Sequence, residues 1–78
     1  MAHLPTLEES ERFVLDIYKQ SNIRAGEMLP LGVFLAEVTE QKVREEDFNS
    51  GMKNLKEKGM IEEKNGKFFL TELGFKAI

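Results

Sequence analysis

Residues 55–74 read LKEKGMIEEKNGKFFLTELG, and this stretch decides the fold. Gly59 suits the end of a helix, where a positive φ is needed. Asn65-Gly66 favours a tight hairpin, because a type I′ turn needs a positive φ at both central residues. Thr71 suits the cap of a new helix. The stretch therefore predicts a helix end, two strands over residues 60–64 and 67–70, and a short final helix.

Two helices and a short strand are expected in the first half of the chain. Thr6-Leu7-Glu8-Glu9 is a capping box, so the first helix should cover about residues 7–21. Met28 and Leu29 can form a short strand beside the hairpin. Pro30 suits the first turn of the second helix, since its missing N–H would be unpaired there. That helix is expected to bury one face, made of Leu31, Phe34, Leu35 and Val38.

A third helix is predicted over about residues 45–58, after a polar turn. Val43 and Phe48 bracket its start as a hydrophobic staple. Its buried stripe should be formed by Phe48, Met52 and Leu55. In the hairpin, strand alternation directs Phe68 into the core and Phe69 to the other side. Tyr18 is expected in the core with its hydroxyl at the rim, and Gly74 would let the final helix lie close to its neighbour.

Length and composition indicate one small globular domain. The chain has 78 residues, and we expect a single domain over residues 1–78 with residues 1–5 as a disordered tail. Its hydrophobic (41%) and charged (32%) fractions are typical of folded proteins. No apolar stretch is long enough to span a membrane, no secretory signal is visible, and there is no cysteine. We therefore expect a cytoplasmic protein with no membrane partner.

Acidic residues are concentrated in the first half of the chain. The net charge is −3; residues 1–40 carry three basic and seven acidic groups, whereas residues 41–78 carry eight and seven. Nucleic-acid-binding domains usually have a clearly basic face, because contacts from Lys and Arg to phosphate supply most of the affinity. That signature is faint in this chain.

The sequence shows no set of residues suited to catalysis. His3 is the only histidine, and its position in the predicted tail argues against a ligand role. No histidine or lysine constellation is available to activate a Ser or Thr nucleophile. The glycines form neither a phosphate-binding loop nor a dinucleotide fingerprint. We therefore expect a protein that is not an enzyme, with no cofactor and no metal site.

The second half of the chain resembles a known family in its pattern of packing and turn residues. The pattern consists of Glu46-Asp47-Phe48, Leu55, Gly59, Ile61, Leu70, Thr71 and Gly74. It is similar to that of small winged helix-turn-helix proteins, including bacterial regulators of the multiple-antibiotic-resistance and phenolic-acid-repressor type and small prophage-type proteins. The resemblance covers about residues 30–76. It implies a mainly α fold with a small β-hairpin: a three-helix core, a two- or three-stranded wing and a short C-terminal helix.

The resemblance also implies binding to double-stranded DNA, in a transcriptional role. A homodimer is expected, because a single module of this size offers a limited contact area and two copies can occupy paired half-sites. The third helix would enter the major groove, and the wing would touch the DNA backbone or the minor groove. Asn49 and Ser50 would read base edges, and Lys53 would meet a phosphate. Arg44 would be either a backbone clamp or merely a weak helix cap. At the wing tip, the expected contacts are Lys64, Asn65 and Lys67, although lysines there can also serve only to blunt an exposed strand edge.

One departure from that pattern keeps a second hypothesis open. Glu45, Glu46 and Asp47 fill the first turn of the third helix, where they favour the helix but oppose the approach of a phosphate. Together with the acidic first half of the chain, they motivate a protein–protein interaction module that does not bind DNA. Its candidate interface residues are Met60 and Phe69, whose exposure would give an apolar patch.

Overall fold

The computed structural model describes residues 7–78, and the elements below refer to that range. The elements are α1 (Leu7–Gln20), β1 (Met28–Pro30), α2 (Leu31–Glu40), α3 (Glu45–Glu57), β2 (Ile61–Lys64), β3 (Lys67–Leu70) and α4 (Glu72–Ala77). This part of the chain is mainly helical with one small antiparallel sheet. The predicted tail over residues 1–5, which includes His3, and the predicted cap residue Thr6 lie outside the described residues.

The sheet has three strands in the order β1-β3-β2, and both pairs are antiparallel. The central strand β3 places Phe68 opposite Leu29 and Leu70 opposite Ile61. The predicted hairpin is confirmed, since Asn65 and Gly66 have φ values of 51° and 77°. The short strand at Met28 and Leu29 is confirmed as well. It forms the edge opposite β2, so β3 is hydrogen-bonded on both sides.

The predicted helix stop at Gly59 is confirmed by its backbone geometry. Gly59 has a φ of 75°, and its N–H donates to the carbonyl of Lys56 at 3.1 Å. The next N–H, that of Met60, donates to the carbonyl of Leu55 at 2.9 Å. These two bonds satisfy carbonyls that the end of α3 would otherwise leave unpaired. The chain therefore leaves α3 in a defined direction, directly into β2.

The hydrophobic core lies between α1, α2, α3 and the inner face of the sheet. The ring of Phe34 is at its centre, with centroid distances of 5.3 Å to Tyr18, 6.0 Å to Phe48 and 5.7 Å to Phe68. The predicted stripe on α3 is confirmed, and Phe68 is the inward ring of β3 as expected. The buried apolar side chains are Val14, Leu15, Ile17, Tyr18, Leu29, Phe34, Val38, Phe48, Met52, Leu55, Ile61, Phe68 and Leu70.

The helix α4 is held closely against the segment between α3 and β2, at Met60, as Gly74 predicts. A Cβ at Gly74 would collide with the carbonyl oxygen of Met60, so only glycine permits this approach. The cap at Thr71 is also confirmed. Its hydroxyl accepts a hydrogen bond from the N–H of Gly74 at 3.2 Å and donates one to the carbonyl of Gly59 at 2.7 Å.

Three expectations about side chains are wrong. Pro30 is the extended N-cap of α2 and the last residue of β1, not a residue of the first helical turn. Leu31 and Leu35 are 39% and 38% exposed, because the side of α2 that packs against the core is the one that carries Phe34 and Val38. The hydroxyl of Tyr18 is buried instead of lying at the rim.

Within residues 7–78, no helix is long and apolar enough to cross a membrane.

Candidate nucleic-acid interface

The outer face of α3 carries the residues predicted to read DNA. Phe48, Met52 and Leu55 bury one side of the helix, and Asn49, Ser50 and Lys53 are therefore exposed on the other. Their hydroxyl, amide and ammonium groups are free to meet a ligand from solvent. Lys53 makes no ion pair with any residue in the described range, so its charge is available to an anion.

The hairpin tip brings the other predicted residues together. Lys64 and Lys67 lie directly opposite each other in the β2–β3 register, with Asn65 and Gly66 closing the turn between them. The Lys64 ammonium lies 3.9 Å from a carboxylate oxygen of Glu62 and 5.8 Å from the centroid of the Phe69 ring. Lys67 has no ion-pair partner within residues 7–78. The two lysines are thus adjacent, but only one of them is free of an acidic neighbour.

An ion pair joins α3 to the hairpin. The ammonium of Lys56 lies 2.9 Å from a carboxylate oxygen of Glu63 on β2. Lys56 is absent from the site predicted from the sequence, since nothing in its local pattern indicates a partner on a later strand. The pair couples the orientation of the hairpin to the last turn of α3, although it is exposed and its own contribution to stability is small.

Arg44 lies at the N-cap of α3 with its side chain turned onto the helix itself. It has extended φ and ψ values of −71° and 136° and makes no side-chain cap hydrogen bond. Its guanidinium is 3.2 Å from Glu46 and 3.6 Å from Asp47. The buried Oδ2 of Asp47 has no hydrogen-bond partner in the described part of the chain, so Arg44 supplies its nearest compensating charge. A DNA contact by Arg44 would require it to exchange these carboxylates for a phosphate.

The charges around α3 and the hairpin largely neutralise each other. Three of the predicted or neighbouring cations are engaged with carboxylates: Arg44, Lys56 and Lys64. Lys53 and Lys67 are the cations of this surface that pair with no carboxylate of residues 7–78. The surface therefore offers two free positive charges per chain, a weak electrostatic footprint for a polyanion.

The two residues predicted for a protein interface lie in different surroundings. Met60 is half-buried and lines a cleft with α1 and Ala77. Phe69 is half-buried on the outer face of the sheet, opposite Met28 on one side and Glu62 on the other. Phe69 is not among the described residues that line the Met60 cleft. Each therefore has its own neighbours, Met60 beside α1 and Phe69 on the sheet.

A part-buried hydrogen-bond network around Glu11 was not predicted from the sequence. The side chain of Glu11 is only 10% exposed, and its carboxylate accepts hydrogen bonds from Asn54 at 2.5 Å and from Lys58 at 2.7 Å. It ties α1 to α3. Helical spacing does place Glu11 beside the buried Val14 and Tyr18, which is the signal that could have identified it.

The chain was compared with protein-family models, with curated proteins and with solved structures, and no match was found in any of the three.

Proposed function

We propose that this chain is a winged helix-turn-helix protein that binds double-stranded DNA. The element order supports this: three helices precede a hairpin, and β1 adds a third strand to it in the order β1-β3-β2. In that architecture α3 is the recognition helix and the β2–β3 hairpin is the wing. A helix of 13 residues is about 20 Å long and fits the major groove.

The observation that carries the proposal is the set of exposed polar side chains on α3, a helix joined to the hairpin by the ion pair of Lys56 with Glu63. Asn49 and Ser50 are positioned to hydrogen-bond base edges, while Lys53 contacts phosphate. Lys67 and Asn65 contact the backbone from the wing, and Lys64 joins them after leaving Glu62. On one element alone, these polar side chains would be an ordinary solvent-exposed surface. Because α3 and the hairpin are adjacent, side chains of the helix can contact a DNA groove while those of the hairpin contact the phosphate backbone beside it.

The charge pairing supports weak binding with a shallow salt dependence. Each phosphate neutralised contributes about −0.9 to the slope of log K against log salt. Two free cations therefore give a slope of about −2 per chain, with further contacts requiring Arg44 or Lys64 to leave its carboxylate partner. A DNA reader of this kind depends on more than one copy, or on base contacts, for useful affinity.

The test is a fluorescence titration of a mixed-sequence duplex pool at about 50 mM salt, followed by a salt series. Lys53→Ala and Lys67→Ala should each weaken binding to all sequences alike and reduce the salt slope by about 1. Lys76→Ala, an exposed lysine at the end of α4, is the matched control and should change neither. Absence of binding at micromolar protein, or equal effects of all three substitutions, would overturn the proposal.

A second candidate is a protein–protein interaction module that uses the outer face of the sheet. The observation that favours it is the half-buried pair Phe69 and Met28, which lie opposite each other in the β1–β3 register beside the charged Glu62 and Lys64. An apolar centre with a charged rim is typical of protein interfaces. The test is a pull-down with the unmodified chain, with Phe69→Ser as the matched control. If the unmodified chain recovers nucleic acid but no protein that the Phe69→Ser variant fails to recover, the interaction module is ruled out.

A further inference from the structure

The outward face of α1 carries a regular stripe of alternating charge. Glu8, Arg12, Asp16 and Lys19 follow one another at spacings of four, four and three residues, so they share one side of the helix. Asp16 is half-buried and the other three are exposed. The opposite side is the buried one, formed by Val14, Ile17 and Tyr18. Arg12 and Asp16 are one turn apart, yet none of the four stripe residues forms an ion pair with another residue of the described range.

The order of signs along the stripe is self-complementary. Read from the N-terminal end it is negative, positive, negative, positive; read from the other end it is the reverse. A second α1 laid antiparallel therefore sets Arg12 against Asp16 of the other copy, and Glu8 against Lys19 of the other copy. A twofold axis between Arg12 and Asp16 makes each of these pairs twice, as an isologous interface requires.

Apolar surface flanks the stripe at both ends. Beside Glu8, Arg12 and Asp16 is an open cleft of 670 Å³, whose apolar walls include Leu15, Met60 and Ala77. At its C-terminal end, Phe75 and Ile78 line a depression with Lys19 and Arg24. Phe75 is 47% exposed and its neighbour Leu73 is 53% exposed. An antiparallel arrangement brings the exposed α4 side chains of one copy toward the cleft of the other, which supplies the apolar contact that ion pairs alone do not.

We propose that the partner of this surface is a second copy of the chain, bound through antiparallel α1 helices with α4 at the two ends. The charge order favours this partner, because the α1 stripe of a second copy, laid antiparallel, places an opposite charge against each charge of the first. The inference concerns self-association and goes beyond the DNA-binding proposal, which neither requires it nor is required by it.

The test is a charge-reversal exchange, measured by sedimentation equilibrium in low salt without DNA. Arg12→Glu sets two carboxylates against each other at both contacts between positions 12 and 16 of a homodimer, and Asp16→Lys sets two cations there. Each variant alone should associate at least about tenfold more weakly than the unmodified chain. An equimolar mixture should recover association, since a contact of two opposite charges is again available between the two variants. Glu40→Lys at the end of α2 and Lys42→Glu in the turn that follows it, alone and mixed, are matched controls and should associate like the unmodified chain.

The mixture separates this proposal from trivial effects. Repulsion within one α1 helix lowers the stability of each variant, but mixing cannot relieve it. Recovery on mixing therefore supports contact between α1 helices of two copies. A chain that remains monomeric at high concentration, single variants that associate normally, or a mixture no stronger than its components would each overturn the proposal. None of these outcomes bears on DNA binding, which is titrated separately.

Discussion

The hydroxyl of Tyr18 donates a 2.9 Å hydrogen bond to the backbone carbonyl of Phe68, 50 residues later in the chain. Tyr18 has no exposed surface and packs its ring against Phe34. The bond fastens the middle of α1 to the central strand β3, and through it to the hairpin. Burial also raises the pKa of the Tyr18 phenol above its ordinary value, because the phenolate would lose its hydration.

Alkaline pH is expected to destabilise the protein through Tyr18. The folded state keeps the phenol protonated, whereas the unfolded state loses its proton above the ordinary pKa of about 10. The contribution is therefore complete below about pH 10 and decreases above it by about 1.4 kcal/mol per pH unit until the folded phenol ionises. Tyr18 is the only tyrosine, so tyrosinate absorbance reports on it alone. Absorbance that rises near the ordinary pKa while the protein is still folded would contradict this.

The control for that experiment is Tyr18→Phe, which keeps the ring and removes the titrating group. It should lose about 1–2 kcal/mol at neutral pH, because the carbonyl of Phe68 is left without this donor. In urea unfolding it should also lack the additional decline at alkaline pH. Any decline that remains in the variant does not come from the Tyr18 phenol.

Two helical glycines should respond to alanine with opposite signs. A Cβ at Gly51 would meet the carbonyl carbon and oxygen of Ser10 at 2.8 and 2.7 Å, so α1 and α3 would have to move apart. Gly51→Ala should cost about 1–3 kcal/mol. A Cβ at Gly32 meets nothing within 4 Å, so Gly32→Ala should stabilise α2 by about 0.5–1 kcal/mol. Urea unfolding measures the free energy of unfolding of both variants. If Gly51→Ala changed it by the same amount and in the same direction as Gly32→Ala, the α1–α3 contact would be less tight than described.

The buried carboxylate of Glu11 should contribute more to stability than exposed acids do. Glu11→Ala leaves Asn54 without an acceptor and Lys58 without its partner, and we expect a loss of about 1–3 kcal/mol. Glu11→Gln should lose less, because its amide oxygen can still accept from Asn54. Glu40→Gln, at an exposed position, should stay within about 0.5 kcal/mol of the unmodified chain. A Glu11→Ala variant as stable as the Glu40 control would show that the network is dispensable.

If DNA is the ligand, Glu46→Gln should increase affinity. The substitution removes one negative charge from the first turn of α3 and weakens the 3.2 Å contact to Arg44, which then has Asp47 as its remaining charged partner within residues 7–78. We expect binding about three- to tenfold tighter at low salt, at a cost of about 0.3–1 kcal/mol in helix stability. Glu40→Gln makes the same change of charge on α2 and should leave affinity nearly unchanged. Unaltered affinity in the Glu46 variant would remove Arg44 from the set of DNA contacts.

The local elements of this fold are largely predictable from single residues and short patterns. Gly59, Asn65-Gly66 and Thr71 each act through the backbone of a few neighbouring residues, and each adopts the expected conformation. The α3 stripe follows in the same way from helical periodicity. The exposure of Leu31 and Leu35 was not predictable, because an apolar residue near the edge of a helical face is buried only if a neighbouring element reaches it.

In the candidate site, too, features set by local helical pattern were predictable and features set by contacts between elements were not. That Asn49, Ser50 and Lys53 lie outward on α3 follows from the burial of the apolar stripe beside them. That Lys56 is held by Glu63, and Glu11 by Lys58, depends on how α3 meets β2 and α1. Sequence order carries little information about such pairs, since they join residues from separate elements.

The order of helices and strands, and the turns between them, come from the amino-acid sequence alone, because backbone preference and hydrophobic period act over a few residues. The pairing of charges, the burial of the Tyr18 hydroxyl and the availability of Lys53 and Lys67 come from the tertiary structure alone. They depend on distances between atoms far apart in the chain, and electrostatic and hydrogen-bond energies change steeply over those distances.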